Sequence, residues 1–87
     1  MNIQKQFNQA IKSNNIEDVK LLLNHSEVNP AYKDNWAIIC AYYAKHTDIV
    51  NLLWQDQRIK DTLKNDDIDL YNELIKKDKI KEKVEVF

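Results

Sequence analysis

The sequence predicts an all-α protein, a short stack of antiparallel helix pairs with two full repeats and one partial terminal repeat. Three observations support this prediction. Apolar residues recur at helical spacing along most of the chain. There is no glycine and only one proline, Pro30, which argues against an all-β fold rich in tight turns. Finally, one stretch near the N-terminus is repeated further along the chain, as repeat proteins require.

The first two helices are predicted from an interrupted apolar pattern. Phe7 and Ile11 share one helical face, and the polar residues 13–15 break that pattern. A second helix follows, with Val19 and Leu22 on its apolar face. Acidic residues occupy its first turn, where the helix dipole favours them.

Residues 25–35 are predicted to form a loop. Pro30 cannot continue a helix, and it pushes the residue before it towards an extended conformation. Either Asp34 or Asn35 can cap the third helix, which we expect over residues 36–45.

The second half of the chain is less regular. Thr47 can cap a fourth helix over residues 48–54, whereas residues 57–64 fit either a short helical turn or an irregular connection. Asp66 or Asp67 then caps a helix that we expect to end near Lys77.

Residues 79–87 carry Ile80, Val84 and Phe87 at helical spacing, although the last four residues also alternate like a strand. The pattern favours a helix.

Internal similarity strengthens the prediction of helix pairs. Residues 10–23 align with residues 41–54, so Ala10 matches Ala41 at an offset of 31 residues, and acids, valines and leucines coincide. A weaker third copy starts at Tyr71, with Ile38 as its counterpart. One short helix pair cannot bury its own apolar face, so stacked copies are expected to share a continuous core.

This pattern resembles the ankyrin repeat, whose period is about 33 residues. The resemblance covers roughly residues 3–80 and is densest in the second helix of each pair, where an acid, a valine and a leucine run recur. Asn14 and Lys45 stand where the family's turn glycine is expected, so both are expected to adopt a positive φ despite their side chains. The family's Thr-Pro-Leu-His opening is missing from both full copies, and the glycine-free loop of residues 25–35 is too short for full β-hairpin fingers.

The resemblance implies a non-enzymatic module that binds a partner protein through its concave helices and inter-repeat loops. Tyrosine and tryptophan are frequent anchors of such interfaces. Carried onto this sequence, the implied contact residues are Tyr32, Lys33, Asp34, Asn35, Trp36, Tyr43, Lys64, Asn65 and Asp66.

Composition argues against several other functions. The net charge is −1, and twelve lysines accompany a single arginine, although arginine is the better donor to phosphates and base edges. His25, His46 and Cys40 do not have the spacing of a zinc site, and the acids of residues 61–73 lack the glycine and spacing of a calcium loop. No nucleophile, base and orienting group converge, so we expect no enzyme activity, cofactor or metal.

Cell location and domain number follow from length and composition. The 87 residues predict one domain, covering residues 1–87. The N-terminus lacks the apolar run of a signal peptide, and no stretch approaches the roughly 20 apolar residues of a membrane span. With its single cysteine, the chain is predicted to be a cytoplasmic protein that does not associate with membranes.

Three alternatives remain open. The abundance of Asn, Ile, Lys and Tyr fits an AT-rich genome, so the chain is also interpretable as a small viral or parasite effector that blocks a host or defence enzyme by occlusion, acting in the host cytoplasm. The C-terminal lysines offer a surface for nucleic acid. The apolar residues Ile80, Val84 and Phe87 offer a surface for a second copy of the chain.

Overall fold

Six α-helices and no strand form the part of the chain that the computed structural model describes, which is the backbone of residues 2–85 and the side chains of residues 2–77. The all-α prediction is therefore confirmed. Within these residues, no helix combines the length and the apolar character that crossing a bilayer requires. The helices are α1 (Ile3–Lys12), α2 (Ile16–Leu23), α3 (Tyr32–Tyr43), α4 (Thr47–Trp54), α5 (Gln57–Asp66) and α6 (Ile68–Glu85).

The helices pack as three consecutive pairs, α1 with α2, α3 with α4, and α5 with α6. Helix α3 also contacts α1 and α5, and α4 contacts α2. The odd-numbered helices thus lie side by side, with α2 and α4 adjoining each other behind them. Apolar side chains from all six helices form one core. Its fully buried members are Phe7, Ile11, Val19, Ile38, Ala41, Ile49, Leu53, Ile59 and Leu63.

The turns inside the first two pairs share one geometry. Asn14 has a φ of 55° and Lys45 a φ of 62°, which confirms the positive φ expected at both positions. In each turn the N–H of the next residue donates to a carbonyl near the helix end, that of Ala10 at 3.0 Å and that of Ala41 at 2.9 Å. These bonds satisfy carbonyls that a helix end would otherwise leave unpaired, as in a Schellman motif.

Helix α3 has an irregular first turn, and two predicted caps are not caps. The element is assigned from Tyr32, inside the predicted loop, but residues 33–35 have left-handed φ values of 53°, 55° and 64°. Its right-handed part therefore starts at Trp36, where the helix was expected. Capping by Asn35 is wrong, because its side chain is fully buried and its Oδ1 has no hydrogen-bond partner. Thr47 is the first residue of α4 and not its cap, a position that His46 occupies.

Residues 57–64, whose structure the pattern left open, belong to helix α5. The helix starts here because the Asp56 side chain accepts a bond from the backbone N–H of Arg58 at 2.9 Å. Ile59 and Leu63, one helical turn apart, are both fully buried and fix the helix on the core.

The register of the weak third repeat is wrong. Tyr71 was aligned with Ile38 of α3, but it lies in α6 and its ring meets that of Trp54 in α4, with centroids 5.7 Å apart. The reason is the connection between α4 and α5, which consists of Gln55 and Asp56 alone, whereas residues 24–31 connect α2 to α3. The third pair therefore begins earlier in the sequence than a constant period requires.

Helix α6 starts as predicted and runs further than predicted. The Asp67 side chain caps it by accepting a bond from the N–H of Leu70 at 3.1 Å. The helix does not end near Lys77 but continues to Glu85, because no glycine or proline interrupts it. The helix favoured for the C-terminal segment is confirmed as far as Glu85, and residues 86–87 lie outside the described part. The side chains of Ile80, Val84 and Phe87, which form the predicted apolar face, also lie outside the described part of the chain.

Candidate functional site

The implied contact residues divide among three grooves. Tyr32, Lys33 and Trp36 line a groove between α1 and α3, called here the α1–α3 groove. Asp34, Asn65 and Asp66 line a neighbouring groove between α3 and α5, the α3–α5 groove. Tyr43 lies in a third groove at the opposite end of α3. Lys64 is exposed and lines none of the three, and Asn35 is buried.

The α1–α3 groove is aromatic and basic. It has a volume of about 240 Å³ and is completed by Asn8 and Lys12 of α1. The Lys12 Nζ lies 5.7 Å from the centroid of the Trp36 ring, and the Lys33 Nζ lies 5.8 Å from that of Tyr32. Such cation–π contacts are worth about 0.5–1 kcal/mol at exposed sites. Tyr32 keeps 43% of its surface exposed, so the groove offers an aromatic surface flanked by two cations.

The α3–α5 groove is acidic. Its volume is about 550 Å³, and its described lining includes the carboxylates of Asp34, Asp61 and Asp66. Arg58 is the one cation among those residues, and its Nη2 is already paired with Asp56 at 2.7 Å. The groove therefore presents excess negative charge next to the basic α1–α3 groove.

A left-handed turn at residues 33–35 joins the two grooves. Lys33 lines the α1–α3 groove, Asp34 lines the α3–α5 groove, and Asn35 is buried between the helices. Left-handed backbone costs non-glycine residues about 1–2 kcal/mol each, with asparagine and aspartate the most tolerant. The surface charge thus changes from positive at Lys33 to negative at Asp34, the next residue in the chain.

The buried amide of Asn35 fastens this turn to α5. Its Nδ2 donates to the Thr62 Oγ1 at 2.8 Å and to the Asp66 Oδ2 at 2.7 Å. The second bond is charge-assisted, which makes it one of the stronger kinds. Asn35 was expected to contact a partner, but its burial assigns it a supporting position beneath the surface.

Arg58 secures the loop that precedes α3. Its Nε donates to the Asp56 Oδ1 at 3.0 Å, and its Nη1 donates to the carbonyl of Val28 at 3.3 Å. The side-chain hydrogen bond from Arg58 holds the pKa of the Asp56 carboxyl below its ordinary value of 3.8, against the opposing effect of burial. The arginine thus links the start of α5 to the loop beside the acidic groove.

Lys64, Asn65 and Asp66 were expected in an inter-repeat connection, and this is wrong. All three belong to the last turn of α5, because the connection to α6 is reduced to Asp67. Asn65 and Asp66 still reach the α3–α5 groove, since α5 packs beside α3.

Tyr43 lies apart from the other implied contact residues. It is 70% exposed, and its ring meets that of Tyr42 edge to face with centroids 5.3 Å apart. Tyr32 precedes and Tyr43 ends the right-handed part of α3, residues 36–43, which by itself rises about 10 Å at 1.5 Å per residue. One small ligand group cannot contact both.

Neighbouring helices contribute groove residues that the sequence pattern did not indicate. Lys12 of α1 and Asp61 of α5 line the grooves but are not among the contact residues that the resemblance implied. The repeat architecture could have indicated them, because the first helices of successive repeats lie side by side in a stack and exposed residues of one helix then flank the next. In the described residues, no group of three or more His, Cys, Asp or Glu side chains is arranged to hold a metal ion.

Comparisons with protein-family models, with curated proteins and with solved structures find no match for this chain.

Proposed function

We propose that this chain is a non-enzymatic, ankyrin-like recognition module that binds a partner protein with the surface formed by α1, α3 and α5. One observation supports this most directly. Two grooves of opposite charge adjoin on this single helix layer, and six of the nine implied contact residues line them. A partner with matching charges would be held in one orientation, because opposite charges attract and like charges repel across the interface.

The ankyrin-like part of the proposal is supported by the arrangement of the first two pairs. Both close with the same turn, 31 residues apart, and each pair contributes one helix to each layer. Gln6, Gln9 and Asp18 line the outer side of the α1–α2 pair. The aligned residues of the second pair include Ala37 and Ile49, which are buried. A polar outer face is typical of a terminal repeat that ends a stack.

A protein partner is favoured by the chemistry of the surface. Tyr32 and Trp36 offer rigid aromatic area, which interfaces use because fixing these rings costs little conformational entropy. The anchored turn of residues 33–35 holds the surface in advance of binding, and such preorganisation raises affinity. Phosphate backbones would be repelled by Asp34 and Asp61 in the neighbouring groove.

Site-specific photo-cross-linking tests the proposal. A photoreactive phenylalanine analogue replaces Tyr32 in one version of the full chain and Lys20, an exposed residue of α2, in a matched control. Each version is irradiated in lysate from the native source, and cross-linked proteins are identified by mass spectrometry. We expect a discrete protein at position 32 and not at position 20, displaced by an excess of the unmodified chain.

Affinity measurements with the captured protein complete the test. Tyr32→Ala and Asp61→Lys are expected to weaken binding about tenfold each, whereas Leu21→Ala, another exposed apolar side chain, should stay within about twofold. An inhibited enzyme as the captured protein would support the effector version of this function. Equal cross-linking at both positions, or capture of nucleic acid alone, would overturn the proposal.

A further inference from the structure

We propose that the groove around Tyr42 and Tyr43 is a second docking surface, which binds an acidic segment of a partner protein. This tyrosine-pair groove has a volume of about 390 Å³. It lies at the end of α3 remote from Tyr32, so it extends the recognition function to a different surface. Its described lining consists of Tyr42, Tyr43, Lys45, Thr47, Val50, Asn51 and Lys77.

Three helices build this groove. The tyrosines end α3, Lys45 forms the turn into α4, and Lys77 reaches in from α6. The Lys77 Nζ lies 5.8 Å from the centroid of the Tyr42 ring, a cation–π distance that keeps the ammonium group at the wall. Residues from three helices thus supply the walls of the groove.

Charge decides which ligand fits. Among the described residues that line the groove, Lys45 and Lys77 are cations and none is an acid. Asp48, the acid nearest to the turn in sequence, is exposed and does not line it. The hydroxyl of Thr47 and the amide of Asn51 add hydrogen-bond donors. A carboxylate would meet two ammonium groups and polar donors here.

The remaining lining suits a side chain with an apolar stem. The two tyrosines provide apolar surface above the buried Val50, and Tyr43 is 70% exposed and therefore open to contact. Glutamate combines a carboxylate with a short aliphatic stem. An acidic peptide segment, with glutamate entering the groove, is the occupant that matches both features.

A nucleic acid is a poorer fit. A single strand requires a basic track several nucleotides long with aromatic platforms, and the lining supplies two lysines and no arginine. The volume of about 390 Å³ accommodates one or two side chains and is small for a run of nucleotides. A protein segment is therefore the occupant we infer.

An NMR titration of the ¹⁵N-labelled chain with a hexaglutamate peptide tests this inference. Binding should be weak, with a Kd of about 0.1–1 mM, and should weaken further when salt is raised to about 0.15 M. We expect the largest amide shifts at Tyr43, Lys45 and Asn51, with none of that size at Tyr32 or Asp34. A hexaglutamine peptide, which keeps the length and removes the charge, should cause no comparable shifts.

Variants identify the lysines responsible. Lys77→Gln and Lys45→Asn are each expected to weaken peptide binding about two- to fivefold, the range for one exposed ion pair. Asparagine is chosen at position 45 because it tolerates the φ of 62°. The matched control is Lys20→Gln, which removes an exposed lysine of α2 and should leave the Kd unchanged.

Three results would overturn the inference. The first is an equal loss of affinity in Lys77→Gln and Lys20→Gln, and the second is amide shifts spread over all exposed lysines. The third is tighter binding of a thymidine oligonucleotide than of the peptide through the same residues. None of them bears on the surface formed by α1, α3 and α5, because no variant in this experiment changes Tyr32 or Asp61. The two proposals therefore fail separately.

Discussion

Replacing Lys45 with glycine should stabilise the chain. Lys45 holds a φ of 62° in the turn between α3 and α4, where a side chain crowds the backbone. Glycine adopts this conformation freely, and it is the usual residue after a helix end of this type. Lys45 is exposed and its backbone bonds to the carbonyl of Tyr42, so the substitution removes strain while that bond is kept.

The expected gain can be worked out from two opposing effects. Relief of the left-handed backbone contributes about 1–2 kcal/mol, whereas the greater freedom of glycine in the unfolded chain returns about 0.5–1 kcal/mol of that. The net gain is about 0.5–1 kcal/mol in the free energy of unfolding. For a domain of this size, 1 kcal/mol corresponds to a rise in Tm of about 4–8 °C.

Urea unfolding followed by circular dichroism, together with thermal melts, measures this gain. Asn14→Gly is the matched control at the equivalent turn and should gain less, because asparagine already tolerates its φ of 55°. Lys45→Ala should gain nothing, since alanine retains the Cβ that causes the strain. A loss of stability in Lys45→Gly, or an equal gain in Lys45→Ala, would refute the reasoning.

Three further predictions concern the anchored turn, the arginine contact and the core. Asn35→Ala should lower the free energy of unfolding by about 2 kcal/mol, because it loses two hydrogen bonds and has a less favourable φ. Asn35→Gly should be more stable than Asn35→Ala by about 1 kcal/mol, because glycine tolerates that φ. Equal stabilities of the two variants would show that the φ of 64° does not matter. Because the folded-state pKa of Asp56 lies below 3.8, the stability that its ionised form adds is present above that pH and lost as pH falls through the lower, folded-state value. The difference in free energy of unfolding between wild type and Asp56→Asn, measured in urea titrations, should therefore shrink in acid. A difference that stays constant with pH would contradict this prediction. Leu53→Ala should lower the free energy of unfolding by about 2–5 kcal/mol, because Leu53 is fully buried. Leu52 is a half-buried neighbour, so Leu52→Ala should lower it by less in the same urea assay.

The proposed recognition surface depends on a turn that few sequences would adopt. Three consecutive non-glycine residues in left-handed conformation persist only when surrounding contacts hold them, and such strain often accompanies function. Here the hydrogen bonds from the buried Asn35 side chain to Thr62 and Asp66 stabilise the turn. The opposite charges of Lys33 and Asp34 are thereby fixed in adjoining grooves, which a flexible loop could not do.

Some local features were determined by the sequence itself. The spacing of apolar residues located the first four helices, because one face of each must be buried whatever the partner. The resemblance to the ankyrin repeat placed a turn glycine at the positions of Asn14 and Lys45, and so predicted their positive φ. The cap of α6 was narrowed to Asp66 or Asp67, and Asp67 is the one whose side chain accepts from a backbone N–H three residues away.

Only the tertiary structure decided how distant elements meet. The sequence could not reveal that Asn35 faces inward, because that depends on Thr62 and Asp66, which follow it by 27 and 31 residues. It misplaced the third repeat because the short connection before α5 breaks the period, and a period is informative only while it stays constant. The division of the contact residues into grooves of opposite charge likewise arises where α1, α3 and α5 pack side by side. Local patterns record which face of a helix is buried, whereas the neighbours of the exposed face are set by packing between helices that are remote in sequence.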